Sequence, residues 1–388
     1  MREVAIIGVG ITKFGELWDA SFRDLGIEAG LKAMNDANLT GSEVDGMFIG
    51  NMSSGSFIAQ HHISALIADY SGMASQNVPS TRVEAAGASG GVAFRQAVMA
   101  VASGMHDIVV VGGAEKMTDV SDEAANSILD SATDQQWEAM FGATFPSLYA
   151  MIARRFMHEK IATREEIASM AVNSHAHGAL NPDAQFRKAI TLDTVLRSSM
   201  VSDPLTVFDC APISDGAAAV VLCPLDAAKK YTDRPIKVTA SAQASDTLAL
   251  FQRNDITTFG ATAAAAKRAY SSAKIKAEDI SVAEVHDHFT IEGIMALQDL
   301  GLFKKGEAGK AVKDGQAAIG GKVAVNTSGG LKARGNPIGA TGVAQIVEIT
   351  KQLRGDADKR QVKDARYGLA HNSGGTGSTV VVSIMEAL

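Results

Sequence analysis

Apolar residues along this chain fall into two rhythms. Short continuous runs, many of them β-branched, recur at Ile108-Val109-Val110-Val111, Ala219-Val220-Val221-Leu222, Val282-Ala283-Glu284-Val285, Tyr367-Gly368-Leu369-Ala370 and Thr379-Val380-Val381-Val382-Ser383-Ile384. Runs of this length, bounded by glycine or polar residues, read as strands buried on both faces. Longer stretches with apolar positions three and four apart begin at Gly91-Val92-Ala93 and at Gly342-Val343-Ala344, and stop at Gly104 and Gly355. That spacing, closed by a glycine, predicts helices. Strands alternating with helices imply a mainly parallel buried sheet.

The same order occurs twice. Ala37-Asn38-Leu39-Thr40-Gly41-Ser42-Glu43-Val44-Asp45 and Ala273-Lys274-Ile275-Lys276-Ala277-Glu278-Asp279-Ile280-Ser281 each read as a helix end, a polar turn and a strand, offset by 236 positions (273 − 37). The two glycine-opened helices are offset by 251 (342 − 91). A duplicated α/β unit, its halves packed face to face, gives a helix-sheet-helix-sheet-helix sandwich of five layers. The expected divisions are 1–114 with 204–230 for the first half, 231–388 for the second, and 115–203 for an inserted segment without a counterpart. The insertion is helical in pattern. Phe145-Pro146-Ser147-Leu148-Tyr149 opens one amphipathic stretch, and Thr163-Arg164-Glu165-Glu166 is a capping box for the next. It is expected to cover the mouth of a site.

Composition narrows the function. The 388 residues, 46% hydrophobic with 37 Gly and 8 Pro, describe an ordinary globule of two or three compact units. A formal charge of −7 argues against nucleic-acid binding. No window approaches the roughly 18 apolar residues of a membrane span. Only Cys210 and Cys223 are present, which excludes a disulfide framework and a cysteine metal centre. The N-terminal run Val4-Ala5-Ile6-Ile7 is too short for a secretory signal, so a cytoplasmic location is expected. No Gly-x-x-x-x-Gly-Lys-Ser loop occurs, so phosphates would be held by scattered cations, for which Arg154, Arg155, Arg187 and Lys188 are candidates. A solvated helix face is the alternative reading of each.

Four segments carry the candidate chemistry. In Val83-Glu84-Ala85-Ala86-Gly87-Ala88-Ser89-Gly90-Gly91 an extended stretch turns into a helix, a setting that suits a reactive thiolate beside a helix N-terminus. The residue at that turn is Gly87. His286-Asp287-His288-Phe289 follows a predicted strand, where a parallel sheet presents its C-terminal edge. Paired imidazoles there polarise a carbonyl or move a proton near neutral pH; satisfied structural histidines are the alternative. Gly335-Asn336-Pro337-Ile338-Gly339-Ala340-Thr341-Gly342 and His371-Asn372-Ser373-Gly374-Gly375-Thr376-Gly377 complete the set.

Taken in order and over essentially the whole chain, these segments resemble the thiolases, particularly the archaeal and sterol-carrier-linked types. The resemblance implies the same five-layer fold, a coenzyme A thioester as substrate and no covalently bound cofactor. It implies that His286 and the residue at position 336 hold a thioester oxygen. It further implies that His288 stands where a frequent Cys acts as acid and base, and that His371, Ser373 and Gly374 belong to a turn forming a second oxyanion hole with the N–H of Gly87. Two departures stand out: the family's nucleophilic Cys is Gly87, and the His of Gly-His-Pro is Asn336. An amide still donates a hydrogen bond, but the acyl-enzyme route needs a thiolate. Ser89 is a poor substitute without a base, and Cys210 reads as a small buried hydrophobe.

Three functions remain open: an acyltransferase that makes or cleaves a C–C bond α to a CoA thioester, a retro-aldol lyase on the same fold, and a silent acyl-CoA-binding or scaffold subunit. The resemblance also implies a homodimer or dimer of dimers, a small zinc-ribbon/OB-fold partner protein and, as a further associate, a hydroxymethylglutaryl-CoA synthase.

Overall fold

A computed structural model describes all residues from Met1 to Leu388. Twelve strands are present: β1 (Val4–Ile11), β2 (Gly46–Gly50), β3 (Ser80–Val83), β4 (Val109–Glu115), the short pair β5 (Met200–Ser202) and β6 (Leu205–Thr206), β7 (Gly216–Pro224), β8 (Ile236–Ser245), β9 (Ile280–Glu284), β10 (Ala324–Val325), β11 (Tyr367–Gly374) and β12 (Thr379–Ala387). Ten of them run in the order β10-β9-β11-β12-β8-β1-β7-β4-β2-β3. Read from each outer edge inward, β3-β2-β4-β7-β1 repeats as β10-β9-β11-β12-β8, which is the duplication in three dimensions. The two half-sheets join where Val4, Ala5 and Ile6 pair with Val238, Lys237 and Ile236.

The sheets are mixed rather than mainly parallel. In each half the outer pairs, β2 with β3 and β4 and β9 with β10 and β11, are parallel, whereas the inner pairs are antiparallel. The reason is a hairpin. β11 turns directly into β12, with Gly374 opposite Thr379. In the first half Glu115 pairs with Gly216 across the same kind of connection, and the whole excursion between them replaces the tight turn. That excursion contains helices Asp122–Asp130, Phe145–His158 and Arg164–Gly178, the last two started by capping boxes at Thr144 and Thr163.

Two helices fill the central layer. Ser89–Ser103 and Ile338–Arg354 touch each other and strands of both halves, and sixteen of the seventeen residues of the second are buried. They approach so closely because glycine lines the contact. A Cβ at Gly342 would lie 2.3 Å from the Gly91 nitrogen and from Asn372 Oδ1, and one at Gly90 would lie 2.8 Å from the Gly339 carbonyl. The outer layers are Phe22–Asp36 and Ile63–Tyr70 over the first half and Gly260–Ala273 over the second.

A pair of glycine substitutions tests this contact. Gly342→Ala should lose about 1–3 kcal/mol or more through overpacking, although Ala favours helix. Gly30→Ala, at a helical position where a Cβ meets no atom within 4 Å, should gain up to about 1 kcal/mol from propensity alone. Urea unfolding of both variants measures the contrast.

Candidate active site

The sharp turn after β3 is built from local hydrogen bonds. Ala86 takes a left-handed conformation (φ 49°), its N–H donating to Glu84 Oε1 at 2.6 Å. Ser89 is fully committed to this turn: its hydroxyl accepts from the Ala85 N–H at 2.9 Å and donates to the Ala86 carbonyl at 2.7 Å. It holds the turn and is not a substitute nucleophile. Cys210 and Cys223 lie outside the pocket, and burial pushes each thiol up to about 12.

Gly87 itself sits under a lid of backbone. A Cβ at this position would lie 2.5 Å from the Ser373 carbonyl oxygen and 3.2 Å from His286 Cε1 and Nε2. The side chain that binds these parts together is Asn372. Its Oδ1 accepts from the Gly91 N–H at 2.9 Å, while its Nδ2 donates to the Gly87 carbonyl at 2.9 Å and to His286 Nδ1 at 3.1 Å. With both ends of the amide fixed, Nδ1 of His286 must accept, so its proton sits on Nε2 and faces residue 87.

The loop carrying His286 and His288 is held by the carboxylate between them. Asp287 Oδ1 accepts from the Leu331 N–H at 2.6 Å and Oδ2 from the Ser174 hydroxyl at 2.9 Å. His288 packs between Phe145 and Phe289, with ring centroids 5.9 and 4.6 Å away. Burial holds it neutral, with its pKa down at about 4, and drives His286 well below 6.5. Across the pocket, Asn336 Oδ1 accepts from Thr341 Oγ1 at 2.8 Å, which leaves the amide NH2 for the pocket. Position 336 therefore presents a donor, as His286 Nε2–H does.

The pocket is narrow. Its walls include Gly87, His286, His288, Asn336, Ser373 and Gly375, closed by Met52, Leu129 and Phe145, and the space open to water is about 20 Å³, room for about one water molecule. Leu129 and Phe145 belong to the inserted segment, which thus covers the site. Of the other residues singled out by the sequence, Gly374 lies behind this wall. His371 is fully buried outside it, with Nδ1 accepting from the His286 N–H at 3.3 Å and Nε2 bonded to Thr262 Oγ1 at 3.0 Å, so it positions the His286 loop. Arg154 and Arg155 are tied to Asp203 and Glu159 on the surface, and Arg187 and Lys188 are exposed. None of these four lines the pocket.

Sequence reasoning missed Glu292. It lies in the first turn of the helix Thr290–Asp299, completely buried, with Oε1 accepting from Ser373 Oγ at 3.0 Å and Oε2 without a partner. A lone carboxylate in the otherwise apolar run Ile291 to Leu297 was the available signal. Burial raises its pKa to about 8, so it is a neutral acid at pH 7. Donor atoms of His286, His288 and Glu292 lie within 4.8 Å of one another. These three are the residues that could hold a metal, but the proton on His286 Nε2 occupies one of the required lone pairs. The cluster suits proton transfer better than ion binding.

Residues 4–226 match the thiolase N-terminal domain, and residues 242–387 match the thiolase C-terminal domain-like family. The chain belongs to the thiolase family. Its five-layer architecture is the thiolase fold. It is 57% identical over 386 residues to an acetyl-CoA acetyltransferase of Methanothermobacter thermautotrophicus, covering 100% of both chains. With the acetyl-CoA acetyltransferase of Methanocaldococcus jannaschii it shares 51% over 396 residues, covering 100% of this chain and 99% of the relative. Among solved structures, the Ltp2-ChsH2(DUF35) aldolase superposes with a TM-score of 0.85 at 29% identity, over 99% of this chain and 98% of that one.

Glu292 gives a test by pH. The folded state holds a proton from about pH 4.5 to about pH 8 that the unfolded chain releases, so its burial favours the fold below this window and is lost as pH rises through it. Glu292→Gln should remove that component. The stability of the variant relative to the parent should improve by one proton's worth of slope between about pH 5 and about pH 8, read from urea midpoints.

Proposed function

We propose that this thiolase-family protein makes or breaks a C–C bond α to a coenzyme A thioester, as an acyltransferase whose acyl group is never attached to residue 87. One observation carries the reading: two neutral donors, His286 Nε2–H and the Asn336 amide, converge beside a glycine that has no room for a Cβ. Donors fixed before the substrate arrives stabilise the oxygen of a thioester enolate at no cost of reorganisation. The names of the two archaeal relatives support acetyl groups as substrate.

In the condensing direction His288 takes the proton from the α-carbon, and the electron pair moves to the thioester oxygen held by His286 and Asn336. The enolate carbon then attacks a second thioester carbonyl, and the coenzyme A thiolate leaves with the proton. Glu292, held neutral beside His288, supplies or stores that proton. Cleavage reverses each step.

A second reading, retro-aldol cleavage, is favoured by the same glycine and by the likeness to the Ltp2-ChsH2(DUF35) aldolase. There the β-hydroxyl loses its proton, the Cα–Cβ pair becomes the same enolate, and an aldehyde or ketone departs without any acyl intermediate. We further propose a homodimer paired through the half-exposed edge strand β3, and a small subunit of the DUF35 kind that the aldolase's title names.

Acetoacetyl-CoA with free coenzyme A should yield acetyl-CoA if the first reading holds. A β-hydroxyacyl-CoA should release a carbonyl compound if the second does. In both, solvent deuterium should enter the α-carbon, and His288→Ala should slow that exchange by about 10²-fold or more. Ser89→Ala should leave the exchange rate unchanged while costing about 1 kcal/mol of stability through the lost turn hydrogen bonds. Mass spectrometry that finds an acyl adduct on any side chain during turnover would reject the proposal.

A further inference from the structure

We propose that Lys332, which lies outside the wall of the pocket, is a positioning residue for the reaction: its ammonium ties down the segment Asp209-Cys210-Ala211, and that segment sets where His288 meets the substrate. The inference rests on the reading in which His288 moves the proton of the α-carbon.

The segment lies along the base like a bracket. Its Ala211 N–H donates to the His288 carbonyl at 2.8 Å, Cys210 forms an antiparallel bridge with Phe289, and Asp209 Oδ1 accepts from the Thr290 hydroxyl at 2.7 Å. Three consecutive residues thus hold three consecutive residues, with the imidazole at one end. Further along, Ser214 Oγ accepts from the Asn336 N–H at 2.9 Å and donates to Gln185 Oε1 at 2.6 Å. The side that holds the thioester oxygen is therefore fixed without Lys332.

One side chain joins the bracket to the helix Gly330–Arg334. Lys332 Nζ donates to the Cys210 carbonyl at 2.6 Å, a bond strengthened by its charge. The neighbouring Leu331 N–H holds Asp287 Oδ1, so adjacent residues of one helix grip the His286–Phe289 loop from two sides. The surroundings of the ammonium are otherwise aromatic: the ring centres of Phe186 and Phe208 each lie 5.6 Å from Nζ, and the residue is only 3% exposed. Taking a cation out of water in this way is costly, and burial lowers its pKa to about 8. An unbranched apolar side chain would fill the same space without that cost. A local choice that works against stability is expected where geometry at a reacting group is what matters.

Deuterium exchange at the α-carbon of acetyl-CoA tests the assignment. Lys332→Met, unbranched and uncharged, should lower the maximal exchange rate by about tenfold with the KM for acetyl-CoA unchanged, because a small displacement of a reacting group is felt in the rate. Its urea midpoint should stay at or above that of the parent, since an apolar residue replaces a buried cation. In a His288→Ala background, Lys332→Met should bring no further loss of the residual exchange, as expected of two residues acting through one group. Parent-like exchange in Lys332→Met, a change confined to KM, a lowered urea midpoint, or a further tenfold loss in the His288→Ala background overturns the proposal. Absence of exchange in the parent would instead remove the role of His288 on which it stands, and the proposal with it.

Discussion

Everything in this molecule hangs on the glycine-lined contact between its two central helices. Because Gly90, Gly91, Gly339 and Gly342 carry no side chains, the backbones of Ser89–Ser103 and Ile338–Arg354 come close enough for main-chain atoms to touch. That approach sets the turn at Gly87 against the end of β11, so that Asn372 can reach Gly87, Gly91 and His286 at once. The same contact brings Glu115, at the end of β4, to the start of the second helix, where it accepts from the Gly339 N–H at 3.0 Å as well as from Met52 and Ser53. A carboxylate at a helix N-terminus is favourably placed, and this one ties the two halves together at the floor of the site. Burial nonetheless raises its pKa to about 7.

Around the pocket the polar groups are arranged to hold loops rather than to react. Asp287 and Asn372 each spend their oxygens on backbone or hydroxyl donors, and Thr341 fixes the orientation of the Asn336 amide. Behind them Glu284, Arg334, Glu348 and Arg360 form a buried charge network, with Glu348 3.0 Å from Arg360 and Glu284 3.5 Å from Arg334. Such networks gain little net stability over apolar packing, but removing one partner is expensive, so the loop from Asn326 to Gly335 is confined to one geometry. What remains facing the cavity is neutral, two imidazoles and a primary amide, with the protonated carboxyl of Glu292 behind Ser373. Neutral donors in a narrow pocket stabilise a developing oxyanion without first binding a counterion, which suits the proposed mechanism without a thiolate.

Much of this was legible in the sequence because it is local. Gly87, His286, His288 and Asn336 were recognisable from short motifs, and the structure brings all four to one pocket. The capping boxes at Thr144 and Thr163 were legible for the same reason. Glu292 was not, since nothing in its neighbours reveals that Ser373, eighty-one residues away, is its partner. For His371 the motif revealed its place in the glycine-rich turn but not that its ring nitrogens are engaged by the His286 N–H and Thr262.

By itself the sequence determined the duplication, the main strands and central helices, and the glycine at the nucleophile position, because periodicity, glycine punctuation and residue type are properties of short windows. Tertiary structure alone decided which strands run antiparallel, that the inserted segment replaces a hairpin between Glu115 and Gly216, and which residues share the pocket. It also decided that the outer helices of the first half enclose a cavity against the sheet. Those outcomes depend on distances between residues remote along the chain, and such distances are fixed only when close-packed layers settle how near two backbones can come.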